Sequence, residues 1–212
     1  MSVEILSFTL GPMENNTYLL ADPASRSAVV IDPSFESERV LEAAAARGWT
    51  LTAIWLTHAH FDHIAGISAL TSKEGVFPPV GVHPADLPLY RQGGGSHLFG
   101  MRLPPGPEPS FAFAHGQTLA LGSLPQAVEV RHAPGHTPGH VIFYLPAAQA
   151  AICGDVIFYR GIGRTDLPGG DYDTLIHSIR TQVFTLPPAT RLLCGHGLET
   201  TVAGEQDHNP FL

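Results

Sequence analysis

Two cysteines in 212 residues are too few for a disulfide framework. Cys153 and Cys194 each close an apolar run just before a glycine. That is the placement of small buried hydrophobes in a reducing compartment, so a cytoplasmic location is expected. Positive charge is also scarce: 11 Lys and Arg against 19 Asp and Glu leave a formal net charge of −8. No basic cluster exists to follow a phosphate backbone or to draw the chain to anionic lipid. Neither nucleic acid nor a membrane is therefore expected as a partner. No apolar run nears the ~20 residues that span a bilayer, and MSVEILSFTLGPMENN lacks the charged-then-apolar pattern of a secretion signal. There is no internal repeat at a fixed period. With 44% hydrophobic and 14% charged residues, the length suits one α/β domain over 1–212.

What is present is a series of short apolar segments bounded by Gly, Pro, Asn and Asp. VEILSFTL, TYLLAD and SAVVIDP read as strands. SFESERVLEAAAARG reads as a helix, with serine before the run, alanine inside it and glycine as the stop. LTAIWLT is a β-branched strand leading into His58, followed by a helical IAGISALTSKEG and a helical turn in PADLPLY. Residues 91–109, RQGGGSHLFGMRLPPGPEP, hold too much Gly and Pro for regular structure. That segment is either a surface loop or a lid over a substrate. Strands resume in QAVEVRHA, HVIFYLP and QAAICGD, then a helix in DYDTLIHSIRTQVF that Asp171 or Asp173 can cap, then a last strand, TRLLCG. This order predicts two packed sheets with helices outside, a layered α/β architecture.

The chemistry concentrates in THAHFDH, Thr57–His63. His58 and His60 lie two apart at a strand end, so in extended backbone they face the same way. Asp62 and His63 follow where the chain turns into a helix, and a turn can aim them at the same point. Neutral imidazoles with a carboxylate suit a borderline divalent ion; the alternative is a solvated loop in which Asp62 only caps the helix. Three later segments repeat one form, an apolar strand, then glycine, then a ligand-type residue: His136 in HAPGHTPGH, Asp155 in ICGDV and His196 in LLCGHG. Glycine there lets the backbone approach closely and present the next side chain.

HxHxDH, PGHTPGH, GD and GHG in this order resemble the metallo-β-lactamase fold hydrolases, and among them the short bacterial form of glyoxalase II, the hydroxyacylglutathione hydrolases. The likeness runs from VVIDP through GDVIFYRGIGRTDLPGGD to HNPFL. It implies a four-layer αββα sandwich of two mixed sheets with helices on both outer faces. It implies two divalent metal ions, zinc first, with iron or manganese accepted by the same ligands. By this resemblance His58, His60 and His136 would hold one ion, Asp62, His63 and His196 the other, and Asp155 would bridge them. Asp32 would orient a ligand from beneath, or be only a turn residue before Pro33. His140 would support a ligand or be a structural histidine. Such an ion pair brings a shared water toward neutral pKa, and the hydroxide attacks a carbonyl. Asp62 and Asp155 are the catalytic carboxylates of this reading, Asp62 also placed to shuttle a proton.

The implied reaction is thioester hydrolysis on a small molecule, S-D-lactoylglutathione to D-lactate and glutathione. Longer glyoxalase II chains bind glutathione partly through a basic C-terminal extension, and here no basic residue follows Arg191. GIGR, Gly161–Arg164, stands where the family has GxGK, so Arg164 could meet a substrate carboxylate or pair with Asp166 or Asp171. Arg91, Phe99 and Arg102 in the Gly-rich loop are further candidates for substrate contact. GIGRTD also resembles the persulfide dioxygenases, one-iron oxidoreductases of this fold whose iron would sit at His58, His136 and Asp155. A lactonase or other ester hydrolase is the remaining alternative. A purely structural metal would close four ligands, often cysteines, and none of the seven candidates is one.

Overall fold

Alternation along the strands sets the architecture. The structure, a computed structural model, describes residues 3–70, 77–103 and 106–212. Its first six-stranded sheet has the order β1 (Glu4–Leu10), β2 (Asn15–Asp22), β3 (Ser27–Ile31), β4 (Thr50–Trp55), β5 (Val80–Val82), β6 (Phe111–Ala112). The first three strands form an antiparallel meander and the other three add in parallel. The second sheet contains β7 (Thr118–Leu121), β8 (Leu124–His132), β9 (Val141–Leu145) and β10 (Ala150–Gly154). A separate hairpin follows, β11 (Ile157–Phe158) with β12 (Gly161–Ile162). β13 (Arg191–Cys194) then pairs parallel to β10, and β14 (Thr200–Thr201) closes the sheet.

Leu20, Val29, Ile31 and Trp55 of the first sheet meet Val128, Val130, Val141, Phe143 and Ile152 of the second. Their neighbours along each strand point the other way. Leu19, Ala21, Ala28, Val30 and Ile54 pack outward with Val40 and Ala44 of α1 (Glu38–Ala46). α2 (Phe61–Ile64) and α3 (Leu87–Arg91) lie in the connections that follow β4 and β5. On the far side Ile142, Tyr144, Ala151, Cys153 and Leu192 pack with Leu175 of α4 (Tyr172–Ser178) and Val202 of α5 (Val202–His208). The expected αββα sandwich is thus the observed one. Strands buried on both faces read as continuous apolar runs, which is why VVI, VIFYL and AAIC carry no polar alternation. Each such side chain contributes about 1.5–3 kcal/mol on burial. The rigid product has β4, β8, β10 and β13 all ending at one edge, from which four loops carry the candidate ligands.

Two expectations need correction. The helix read in IAGISALTSKEG is a single 3-10 turn over Ile67–Leu70 after α2, and residues 71–76 lie outside the described residues. The Gly-rich loop is not wholly irregular: Ser96–Phe99 forms a 3-10 turn between Gly95 and Gly100, whose φ values of 75° and 70° only glycine adopts cheaply. Asp171, rather than Asp173, caps α4, accepting from Thr174 N at 2.8 Å. Among the described residues no helix is long and apolar enough to cross a membrane.

Candidate metal centre

The strand ends deliver the side chains in two ways. His60 is the extended residue before α2, φ −66° and ψ 150°, so His58 and His60 project from extended chain while Asp62 and His63 come from the first helical turn. Asp155 and His196 follow Gly154 and Gly195. A Cβ at Gly195 would lie 2.1 Å from Asp155 Oδ1 and 2.9 Å from His63 Cε1, so no other residue lets β13 come this near.

All seven candidates converge. His136 Nε2 is 2.8 Å from His60 Nδ1 and 3.2 Å from His58 Nε2. Asp62 Oδ2 is 3.1 Å from His196 Nε2 and 3.6 Å from His63 Nε2. Asp155 stands between the two groups, Oδ1 at 3.3 Å from His63 Nε2, and Oδ2 at 3.6 Å from His136 Nε2 and 3.7 Å from His196 Nε2. All but His196 are buried.

The outer nitrogens identify the tautomers. His136 Nδ1 donates to Arg164 O at 2.7 Å and His196 Nδ1 to Met13 O at 3.0 Å. His63 Nδ1 donates to Asp32 Oδ2 at 3.0 Å, and His58 Nδ1 to Thr57 Oγ1, whose own proton goes to Asp32 Oδ2. Each of these rings, in its neutral form, therefore turns an Nε2 lone pair inward. His58 Nε2 and His136 Nε2, 3.2 Å apart, cannot then bond each other. His63 Nε2 and Asp155 Oδ1 are both buried without a hydrogen-bond partner. Lone pairs and carboxylates facing one another repel unless a cation lies among them, so this donor set fits metal at both groups.

The charge balance agrees. Burial, reinforced by neighbouring histidines, holds His58 well below its ordinary value and His60 near 3. His63 is also buried, but Asp155, Asp62 and Asp32 together raise it well above the usual range. His196 rises through its bond to Asp62 and the charge of Asp155, again against burial. The carboxylate side of the site thus draws in positive charge, which divalent ions would supply.

The family model described as "Metallo-beta-lactamase superfamily" matches residues 10–196. The chain belongs to the metallo-beta-lactamase superfamily. It is 39% identical over 209 residues to "Probable metallo-hydrolase YqgX" of Bacillus subtilis, covering 96% of this chain and 94% of that one. It is 36% identical over 218 residues to "Hydroxyacylglutathione hydrolase GloC" of Haemophilus influenzae, covering 100% and 98%. The crystal structure of TTHA1623 in a di-iron-bound form superposes with a TM-score of 0.87 at 39% identity, covering 98% and 100%. The chain is a metal-dependent hydrolase of this superfamily.

Within the superfamily frame Asp32 is a support. Its Oδ1 accepts Thr57 N at 2.7 Å and its Oδ2 accepts Thr57 Oγ1 at 2.6 Å besides His63 Nδ1, leaving no oxygen free for an ion. Asp32 also sits at φ 52°, a region asparagine shares with aspartate at low cost. Asp32→Asn is accordingly expected to keep the turn and weaken the ion beside His63 about 10–100-fold, measured by metal competition. His140 Nε2 accepts Asp155 N at 3.0 Å, so it holds the backbone beneath that carboxylate.

One positioning residue was not anticipated. Asp86, fully buried between β5 and α3, accepts Ala59 N at 3.0 Å and Thr137 Oγ1 at 2.8 Å on Oδ2, and Gly139 N at 2.6 Å on Oδ1. It clamps the His58–His60 segment to the loop of His136 and His140. Burial raises its carboxyl above the ordinary value, against the pull of those three donors.

A cavity of about 420 Å³ opens over the donor groups and includes Phe99 and Arg164 in its wall. Arg164 Nε and Nη2 both donate to Asp166, at 2.7 Å each. Arg91 and Arg102 are not brought to it. They line a neighbouring 450 Å³ cavity, and Arg91 pairs with Glu108.

Proposed function

We propose that this chain is a dinuclear metallohydrolase cleaving the thioester of a 2-hydroxy acid, with S-D-lactoylglutathione to D-lactate and glutathione as the reaction to assay. The observation that carries it is the pair of donor groups sharing Asp155 at the floor of one cavity. His58, His60 and His136 would hold one ion, Asp62, His63 and His196 the other, and Asp155 would serve both. Two such ions, zinc first, supply Lewis acidity and an acidified water. The di-iron form of TTHA1623 supports iron as the alternative.

The chain's own part is to hold and to exclude. Among the described residues lining the cavity there is no serine, threonine, cysteine or lysine, and in this reading the attacking group is water. Asp62 keeps a carboxylate at the wall, where it can take the proton that water gives up. A thiol is a good leaving group, and GloC, the relative named for such a reaction, matches along its whole length.

The measurement is thiol release from S-D-lactoylglutathione by protein of known metal content. Release that a chelator abolishes and added metal restores is expected. Fully metallated protein that releases no thiol would discard the substrate and keep the hydrolase. GIGRTD, Gly161–Asp166, carries the one competing reading, a persulfide dioxygenase, in which Asp62, His63 and His196 would have no ion to hold. Oxygen uptake with glutathione persulfide decides between them.

A further inference from the structure

The proposed bond leaves a question about what the rest of the cavity holds. A 2-hydroxy acyl group is small, and its carbonyl and hydroxyl belong at the donor groups on the cavity floor. Most of the cavity's 420 Å³ falls to the thiol half. Phe61 of α2 and Leu98 and Phe99 of the 3-10 turn supply wall there, as do Phe158, Ile162 and Leu167 from the hairpin and the segment after it. Phe99 packs on Phe61 with ring centroids 5.0 Å apart and the rings tilted by 43°. Yet Phe99 remains 41% exposed and Leu98 52% exposed, with Met13 at the same cavity 43% exposed. Large apolar groups gathered open to solvent at a cavity rim mark a surface that a ligand covers.

The charges point the same way. Arg164 is the sole lysine or arginine among the described lining residues, and its Nε and Nη2 are both committed to Asp166. The pair is solvent-exposed, so a ligand carboxylate gains little there, whether it displaces Asp166 or takes the remaining N–H groups. Glutathione brings two carboxylates and an ammonium to a wall whose described polar side chains beyond the donor groups are Arg164, Gln92 and His97.

From this wall we infer that the cavity favours an apolar thiol half, an alkyl or aryl thiol, over the charged body of glutathione. This rests on the thioester reading for the bond that breaks. The test keeps the two apart by measuring thiol binding as well as hydrolysis.

Metal-loaded protein is titrated anaerobically in a calorimeter with 1-hexanethiol and with glutathione. Each offers one thiol to the same ions, so the difference in affinity reads the body of the thiol. Hexanethiol is expected to bind about tenfold more tightly or better, a fraction of the transfer free energy of six carbons. Leu98→Ala and Phe99→Ala, both at exposed positions, should each narrow that gap and leave glutathione unchanged, while Arg164→Ala should alter neither affinity. Equal or tighter binding of glutathione overturns the inference, as does a loss of glutathione affinity in Arg164→Ala. The S-D-lactoyl thioesters of both thiols are assayed in parallel. If neither is cleaved while hexanethiol is still preferred, the thioester reading falls and the apolar subsite stands; without that preference both fall.

Discussion

Asp155→Asn is expected to lose both ions and to lower hydrolysis about a thousandfold or more, the rate equivalent of the several kcal/mol such ions supply. The argument is electrostatic. Burial alone would push the Asp155 carboxyl up, but His63, His196 and His136 around it bring it well below the usual carboxylate range. Its two oxygens lie 3.3 to 3.7 Å from imidazole nitrogens of both donor groups. Asparagine keeps the shape and removes the charge that both ions share, leaving each with an incomplete, more weakly anionic set. His58→Ala is the control. It removes a nitrogen from one group and leaves Asp62, His63, His196 and Asp155 intact, so one ion should remain by metal analysis. An Asp155→Asn protein that holds two ions and its activity would end the shared-site assignment.

The candidate ligands were legible in residue order because they announce themselves locally, while their division between two ions came from the family resemblance. HxHxDH sits at a strand-to-helix junction, where extended backbone aims His58 and His60 together and one helical turn aims Asp62 and His63. His136, Asp155 and His196 were legible for a similar reason, each following an apolar strand and a glycine. The sandwich was legible because strands buried on both faces leave unbroken apolar runs. Other parts were not. β5, β6, β11 and β12 are two or three residues long, too short for any alternation to show. Arg164 had a substrate carboxylate and an acidic neighbour, Asp166 or Asp171, as alternatives, and only the fold puts Asp166 within reach of its Nε and Nη2. The closing HNPFL gains a reason as well: Asn209 Nδ2 donates to Gly161 O at 3.0 Å, tying that segment to the hairpin that bears Phe158 and Ile162. Backbone partners of this kind leave no trace in residue spacing.

Asp86 is the sharpest case, and its replacement is the second large effect expected. Its partners Ala59, Thr137 and Gly139 lie 27, 51 and 53 residues away, and two of them are backbone N–H groups that any residue would offer. In HPADLP it reads only as a polar residue in a helical turn. Asp86→Ala would leave three buried donors unpaired at about 1–3 kcal/mol each, enough to threaten folding of a marginally stable chain. Asp86→Asn is therefore the better probe. Its amide oxygen can still accept Ala59 N and Thr137 Oγ1 in the place of Oδ2, but its NH₂ then faces Gly139 N donor to donor. The opposite flip keeps Gly139, lets the NH₂ donate to Thr137 Oγ1 and loses Ala59 N. Either way the segment of His58 and His60 is held less firmly against the loop of His136. The ion bound there should weaken about 10–100-fold, while the ion at Asp62, His63 and His196 should weaken less. A fall in melting temperature alone, at about 2–4 °C for each kcal/mol lost, would make Asp86 a staple of the fold. A selective loss of the ion at His58, His60 and His136 would make it the residue that sets their geometry.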